Sequence, residues 1–248
     1  MKAKIYQLET TNYCNASCTY CPHTKMKRTF GFVSHDTVEK VYNYCKEIGQ
    51  DYIALHHMGE PLLHLQIDEI VAKFEKGGIK TEFSTNGALL VKRGKRVLEA
   101  GLSRLRIAVD YNYNSDIYRE NLKSFLKMSR NFNTEIRIHS IVGNDLEPFR
   151  RYNPKAILEQ KKFDNWAGEV KGESELEPSN ECYFRKYNFV VVLWDGRVVP
   201  CCEDYDGRYV LGTIDGIRSI GENRATKMCA NCSNLQFAEG GEWKIWEK

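Results

Sequence analysis

The chain has 248 residues, of which 42% are hydrophobic, 28% charged and 12% aromatic. That length buries one large α/β core, or a core with a small second module. With 36 basic and 33 acidic side chains the net charge is only +3, which argues for neither a nucleic-acid nor an anionic-membrane partner. No apolar stretch approaches the roughly 20 residues of a membrane span, and the start MKAKIYQLETTNYC lacks the apolar region of a secretory signal.

Up to about residue 145, strand-like runs alternate with helical patterns. Strands are predicted at Ile5–Leu8, Tyr52–His56, Lys80–Ser84, Leu105–Val109 and Ile136–Val142. Helices are predicted near 34–49, 63–76, 91–100 and 115–131. The first helix opens on Ser34, a good N-cap, and spaces Val38, Val41, Cys45 and Ile48 three or four residues apart. That spacing makes Cys45 a core residue. Strand and helix in alternation imply a parallel sheet with right-handed crossovers. The charged stretches 91–99 and 147–162 read as solvated surface.

Residues 164–181 are polar and read as a linker. A hairpin is predicted from Phe189–Trp194 and Arg197–Pro200 around the Asp195-Gly196 turn, followed by a strand at Tyr209–Ile214 and a short helix at 217–227. The division is thus a domain over 1–163 and a small β-rich module over 164–248, held partly by metal.

The nine cysteines lie at 14, 18 and 21, at 45, and at 182, 201, 202, 229 and 232. Tight spacing in a chain this long argues for metal rather than a disulfide scaffold, and so for a reducing cytoplasm. Cys14, Cys18 and Cys21 follow the first strand directly, where α/β folds place their sites. Three thiolates around a four-iron cubane leave one iron open, which suggests chemistry. The competing reading is a zinc site of Cys14, Cys18, Cys21 and His23, with a poor Cys-x-His spacing. The C-terminal five thiols suffice for a closed four-thiolate site, and their spacing alone fits zinc as well as iron–sulfur.

Cys14-x-x-x-Cys18-x-Tyr20-Cys21 resembles the signature of the radical S-adenosylmethionine (SAM) enzymes. Met58-Gly59-Glu60-Pro61 resembles the Gly-Gly-Glu-Pro segment that binds the methionine amino group, with Met58 in place of the first glycine. Ser84-Thr85-Asn86-Gly87 is similar to the segment after the third strand, and Val109-Asp110 to the end of the fourth, with Ala108 where relatives carry serine. The resemblance implies a partial (β/α)6 TIM-like barrel. In it Cys14, Cys18 and Cys21 hold a 4Fe–4S cluster whose open iron is chelated by SAM. It further implies cofactor contacts from Tyr20, Gly59, Glu60, Pro61, Ser84, Asn86 and Asp110. Arg137, on the fifth strand beside His139, is read as a partner for a carboxylate, and His56 or His57 could face the barrel mouth.

The C-terminal module is similar to Twitch, the shortened SPASM extension with one auxiliary 4Fe–4S cluster. Asn165–Gly168, Trp194–Cys201 and Leu211–Ile214 carry the likeness. It implies Cys182, Cys201, Cys229 and Cys232 as ligands and leaves Cys202 over, either packed or a hydrogen-atom donor. Trp243 and Trp246 are expected to cover that cluster or the barrel edge, and Asn144 and Glu147 are left without a role. The expected partners are a small molecule or peptide and an external one-electron donor such as flavodoxin or ferredoxin. The position of Cys14 leaves no room for an N-terminal peptide-recognition domain, which favours a small molecule. The expected reaction is hydrogen abstraction leading to a two-electron oxidation; epimerisation through Cys202 and a non-catalytic zinc-stabilised binding module are the alternatives.

Overall fold

The computed structural model describes residues 2–172, 181–223 and 225–232; the rest of the expected linker, with Trp243 and Trp246, lies outside the described residues. Strands β1 (Lys4–Leu8), β2 (Tyr52–Ala54), β3 (Lys80–Thr85), β4 (Arg104–Ala108), β5 (Glu135–Ser140) and β6 (Ile157–Gln160) are parallel and pair in chain order. Helices α1 (His35–Glu47), α2 (Ile67–Lys76), α3 (Lys95–Glu99), α4 (Asp116–Ser129) and α5 (Glu147–Arg150) connect them, with a π-helical turn over Leu90–Gly94 leading into α3. The Ser34 hydroxyl accepts the Thr37 amide at 3.1 Å and starts α1, whose buried stripe is Val38, Val41, Tyr44 and Cys45. Cys45 is wholly buried, as its spacing predicts.

Alternation along the strands sorts their residues onto two faces. Ile53, Phe83, Leu105, Ile107, Ile136 and Ile138 belong to the core shared with the helices. Their neighbours Glu82, Arg104, Arg106, Arg137 and His139 therefore line the opposite face. The sheet is curled, because His56 just after β2 feels the charge of Lys161 just after β6. In a flat sheet four strand spacings would hold them roughly 19 Å apart. The inner face is thus the lumen of an open six-stranded barrel.

The sixth strand corrects the reading of 147–162 as solvated charge. Glu159 pairs in register with His139, and Lys161 continues the strand by donating its amide to the Ser140 carbonyl at 2.8 Å. Glu159 and Lys161 line the lumen, whereas Glu147, Arg150, Arg151 and Lys155 are exposed on the outer surface as read.

On the other side of β1, strand β7 (Phe189–Val192) pairs parallel with it, and β8 (Arg197–Val199) and β9 (Gly212–Thr213) extend the same sheet antiparallel. The hairpin forms where expected: Gly196, at φ +84°, closes the turn by donating its amide to Leu193 at 2.9 Å. The third strand is shorter than predicted. In place of the helix over 217–227 stand two 3-10 turns, Ile214–Ser219 and Lys227–Asn231. A helix α6 (Tyr183–Lys186) precedes β7. No helix among the described residues is long and apolar enough to cross a membrane.

Candidate active site

Cys14, Cys18 and Cys21 sit as half-buried free thiols in the loop that leaves β1. Burial pushes all three thiols up, that of Cys21 to about 12, and Cys14 and Cys21 both lie close enough to feel Cys18. His23 shares a 2.8 Å hydrogen bond from its Nε2 with the Asn12 carbonyl. Among the described residues no three His, Cys, Asp or Glu side chains converge as a single metal ion requires. Three soft thiols from one loop, with His23 engaged by the Asn12 carbonyl, suit an iron–sulfur cluster with an open iron better than a four-ligand zinc site.

Segments from three other strand ends surround this loop. Gly59 has φ +85°, and a Cβ there would stand 2.5 Å from the Thr11 carbonyl oxygen and 2.7 Å from that of Tyr13. Only glycine allows the Met58–Pro61 segment to lie against the cysteine loop. The Glu60 amide donates to the Tyr13 carbonyl at 2.8 Å, tying the same two segments. The Glu60 carboxyl turns inward. It accepts the Thr85 hydroxyl at 2.8 Å, the Asn86 amide at 2.7 Å and the Leu62 amide at 3.0 Å. Burial outweighs these donors and raises its pKa to about 7. Asn86 in turn points its amide at Asn15 (2.7 Å) and toward the Cys14 sulfur (4.0 Å). Pro61 is buried at the start of a 3-10 turn, and Ser84 stands beside Arg106 on the lumen face.

Tyr20 reaches both the Cys18 thiol and Asp110, and its hydroxyl is pushed far up by burial. Asp110 is fixed by the Ser140 hydroxyl, the Ile141 amide at 2.9 Å and the Asn144 side chain at 3.0 Å. That gives Asn144 a structural role, whereas Glu147 makes a local surface pair with Arg150 at 2.7 Å. Met58, where the sequence pattern has glycine, is buried with Met26 and Tyr205, and Cys21 and Trp166 pack against this group. Its side chain therefore joins the cysteine loop to the C-terminal module.

The second set of thiols gathers around the hairpin. Cys182 caps α6, Cys201 and Cys202 follow β8, Cys229 lies in the last 3-10 turn and Cys232 just after it. Cys201 feels Cys229 and Cys182, and Cys202 feels Cys232. Cys202 directs its S–H at Glu203 Oε1, 3.7 Å away, and acts on Tyr6 of β1.

The lumen between the two sets is lined with charge. Glu82 binds Arg104 at 2.9 Å and Arg106 at 3.3 Å. Glu135 binds Arg104 at 2.5 Å and Arg137 at 2.6 Å, and Arg137 also binds Glu159 at 2.6 Å. Arg137 thus finds its carboxylates within the protein. His56 and His139 face the same space as neutral rings, since burial lowers them to about 4 and about 3. His57 is buried instead beside Arg28 and the Asp204 backbone.

Residues 8–141 match the radical SAM superfamily, and residues 182–233 match the SPASM iron–sulfur cluster-binding domain. The chain belongs to the radical SAM superfamily. Its cofactors are accordingly a 4Fe–4S cluster with SAM, and an auxiliary iron–sulfur cluster in the SPASM region. Among curated relatives, a probable GTP 3',8-cyclase of Methanothermobacter thermautotrophicus is 25% identical over 96% of this chain and 82% of its own. One of Methanococcus maripaludis is 33% identical over 43% of this chain and 36% of its own. The fold resembles BtrN in complex with AdoMet and 2-DOIA, with TM-score 0.65 and 20% identity over 88% of this chain and 82% of the other. It also resembles Streptococcus suis SuiB bound to the precursor peptide SuiA, with TM-score 0.63 and 17% identity over 97% and 72%.

Motif reading of the radical SAM segment misses one buried pair. Glu9, just after β1, meets Arg28 through both guanidinium Nη atoms, one at 2.6 Å, with the two side chains 0% and 3% exposed. Glu9 also accepts the amides of Met58 (3.3 Å) and Trp194 (3.2 Å), while Arg28 Nε donates to the Tyr205 carbonyl at 2.8 Å. Burial pushes the Glu9 carboxyl up, and Arg28 with the two amides pulls it back. The pair spans the radical SAM loop, the Met58 segment and the SPASM hairpin. The one sequence signal for it is a carboxylate at the end of an apolar strand.

Proposed function

We propose that the chain is a radical SAM oxidoreductase that removes a hydrogen atom from a C–H bond of a small polar molecule, for a net two-electron oxidation. The observation that carries the reading is the polar lumen, which opens at the strand ends between two sets of cluster-competent thiols. Cys14, Cys18 and Cys21 would hold the first cluster, and Cys182, Cys201, Cys229 and Cys232 the auxiliary one. When bound, the first cluster with SAM supplies a 5'-deoxyadenosyl radical on one-electron reduction, and the auxiliary cluster supplies a one-electron acceptor.

The chain's own residues orient and enclose. Gly59 lets backbone carry the cofactor's methionine end against the cysteine loop. Glu60 acts as a positioning residue, because its carboxyl is spent on Thr85, Asn86 and Leu62. Tyr20 and Asp110 close the side toward β5, and Met58, Met26 and Tyr205 exclude water between the two modules. The electron enters from an external donor of the flavodoxin or ferredoxin class.

Lumen charge supports a small polar substrate over the nucleoside triphosphate of the curated relatives. A triphosphate brings several negative charges, whereas each lumen arginine named above already holds a carboxylate. The test is anaerobic reconstitution: about eight irons per chain, and 5'-deoxyadenosine formed from SAM on reduction. A colourless zinc protein without that product refutes the reading.

A second reading, radical epimerisation, is favoured by one observation: Cys202 lies close enough to act on Tyr6 of β1, which also feels Glu82 and Arg106 of the lumen. There the substrate radical would take the hydrogen atom of the Cys202 S–H, and the thiyl left behind would regain its S–H bond with one electron from the external donor and one proton from solvent. Replacing Cys202→Ala would abolish solvent-deuterium incorporation while 5'-deoxyadenosine still forms. Unchanged incorporation rejects the epimerase.

A further inference from the structure

The lumen carries more polar capacity than the protein itself uses. Its carboxylates Glu82, Glu135 and Glu159 are each ion-paired with Arg104, Arg106 or Arg137. Lys161 is different. It is half-buried, it feels Glu159 and Glu82 as attraction and Arg106 and Arg137 as repulsion, and among the described residues no carboxylate lies within ion-pair distance of it. Among the described residues four cations therefore face three carboxylates, and the unmatched one is at the C-terminal end of β6, the end at which the cysteine loop leaves β1. Burial and the neighbouring arginines lower its pKa, as expected of a cation kept without a counter-charge.

Three buried atoms on the inner face also have no hydrogen-bond partner among the described residues: Gln7 Oε1, His56 Nδ1 and His139 Nδ1. The first belongs to β1, the second follows β2 and the third lies on β5. Gln7 points inward because its neighbour Leu8 is in the helix-side core, and His139 because Ile138 is. His56 and His139 both feel Lys161, and Gln7 pairs in register with Ala54, two residues before His56, so these groups surround one space. Buried polar atoms are ordinarily satisfied, and several orphans on one concave wall mark a place that a ligand completes.

We infer that Lys161, with His56, His139 and Gln7, seats the substrate, and that the substrate is a small hydroxyl- or amine-bearing molecule with a single anionic group, carboxylate or phosphate. The anion meets Lys161 by charge-assisted hydrogen bonding. The neutral imidazoles accept or donate, and Gln7 Oε1 accepts, single hydrogen bonds with the remaining polar groups, which fixes the C–H bond to be broken. This assignment deepens the function proposed above and rests on it.

The experiment uses holoenzyme loaded with both clusters and titrates inorganic phosphate, glycolate and neutral ethylene glycol by calorimetry. Saturable binding of one of the two anions is expected, with ethylene glycol silent; which anion binds distinguishes phosphate from carboxylate. Lys161→Gln should weaken that binding tenfold or more. Lys161→Arg should restore it to within about threefold, and Lys162→Gln, at the exposed neighbour, should leave it unchanged. Binding of neither anion, equal binding by Lys161→Gln, or ethylene glycol binding as tightly as the anions overturns the assignment. Cofactor cleavage by the wild type is read separately. Anion binding without 5'-deoxyadenosine refutes the proposed function, and 5'-deoxyadenosine without anion binding refutes the seat.

Discussion

Replacing Glu9 by leucine would strand the Arg28 guanidinium, 3% exposed, without a counter-charge. Removing one partner of a buried pair costs about 3–5 kcal/mol. The Met58 and Trp194 amides, which Glu9 accepts at 3.3 and 3.2 Å, lose their acceptor and add about 1 kcal/mol each. The double variant Glu9→Leu/Arg28→Met keeps the volume and removes both charges. What remains is the loss at the two amides and at the Tyr205 carbonyl, about 2–3 kcal/mol. Stability should therefore be lower in the Glu9→Leu single variant than in the double. A double-mutant cycle read by urea unfolding gives the coupling, expected at about 7 kcal/mol or more, since each single variant strands a buried charge and the double strands none. If Glu9→Leu does not accumulate, Glu9→Gln takes its place, since it also removes the charge. Singles whose costs sum to that of the double within about 0.5 kcal/mol refute the claim that this pair ties the radical SAM loop to the hairpin.

Two further outcomes follow from the site geometry. Gly59→Ala combines left-handed strain of about 1–2 kcal/mol with a Cβ 2.5 Å from the Thr11 carbonyl oxygen, so urea unfolding should show a loss of about 2–4 kcal/mol. Iron retention should fall with it, because the displaced loop carries Cys14; a variant as stable as wild type refutes the close approach. Glu60 holds its proton longer folded than unfolded, with its pKa raised from 4.5 to about 7. Its contribution is therefore most favourable below 4.5 and is lost as pH rises through 7, by up to about 3 kcal/mol. Without SAM, wild type minus Glu60→Gln should show that fall between pH 4.5 and 7, and a flat difference refutes it.

Strands β1 to β5 and helix α1 are legible in the sequence because their apolar positions repeat with the right period and Ser34 marks a start. The first cysteine set is legible because all its donors come from one loop, where spacing alone fixes proximity. Strand β6 is not. Its inner positions carry Glu159 and Lys161, and a strand whose wall faces a charged lumen loses the apolar signal of a buried element. The same holds for the short helix expected over 217–227, where local pattern is too weak to choose between a helix and 3-10 turns.

Motif residues show a different limit. Glu60 lies in a segment that resembles a cofactor-binding one, yet its carboxyl is consumed by Thr85, Asn86 and Leu62. Arg137, read as a carboxylate partner, meets Glu135 and Glu159 of its own sheet. Lys161, read as solvated, is the lumen cation that the described residues leave unmatched. Spacing along the chain reports which residues share a face, but the pairing of charges across strands depends on register. Register becomes visible only when β4, β5 and β6 are placed side by side. On the proposed seat, cross-strand charge pairing around Lys161 selects the substrate, while the local cysteine spacing positions the cofactor cluster.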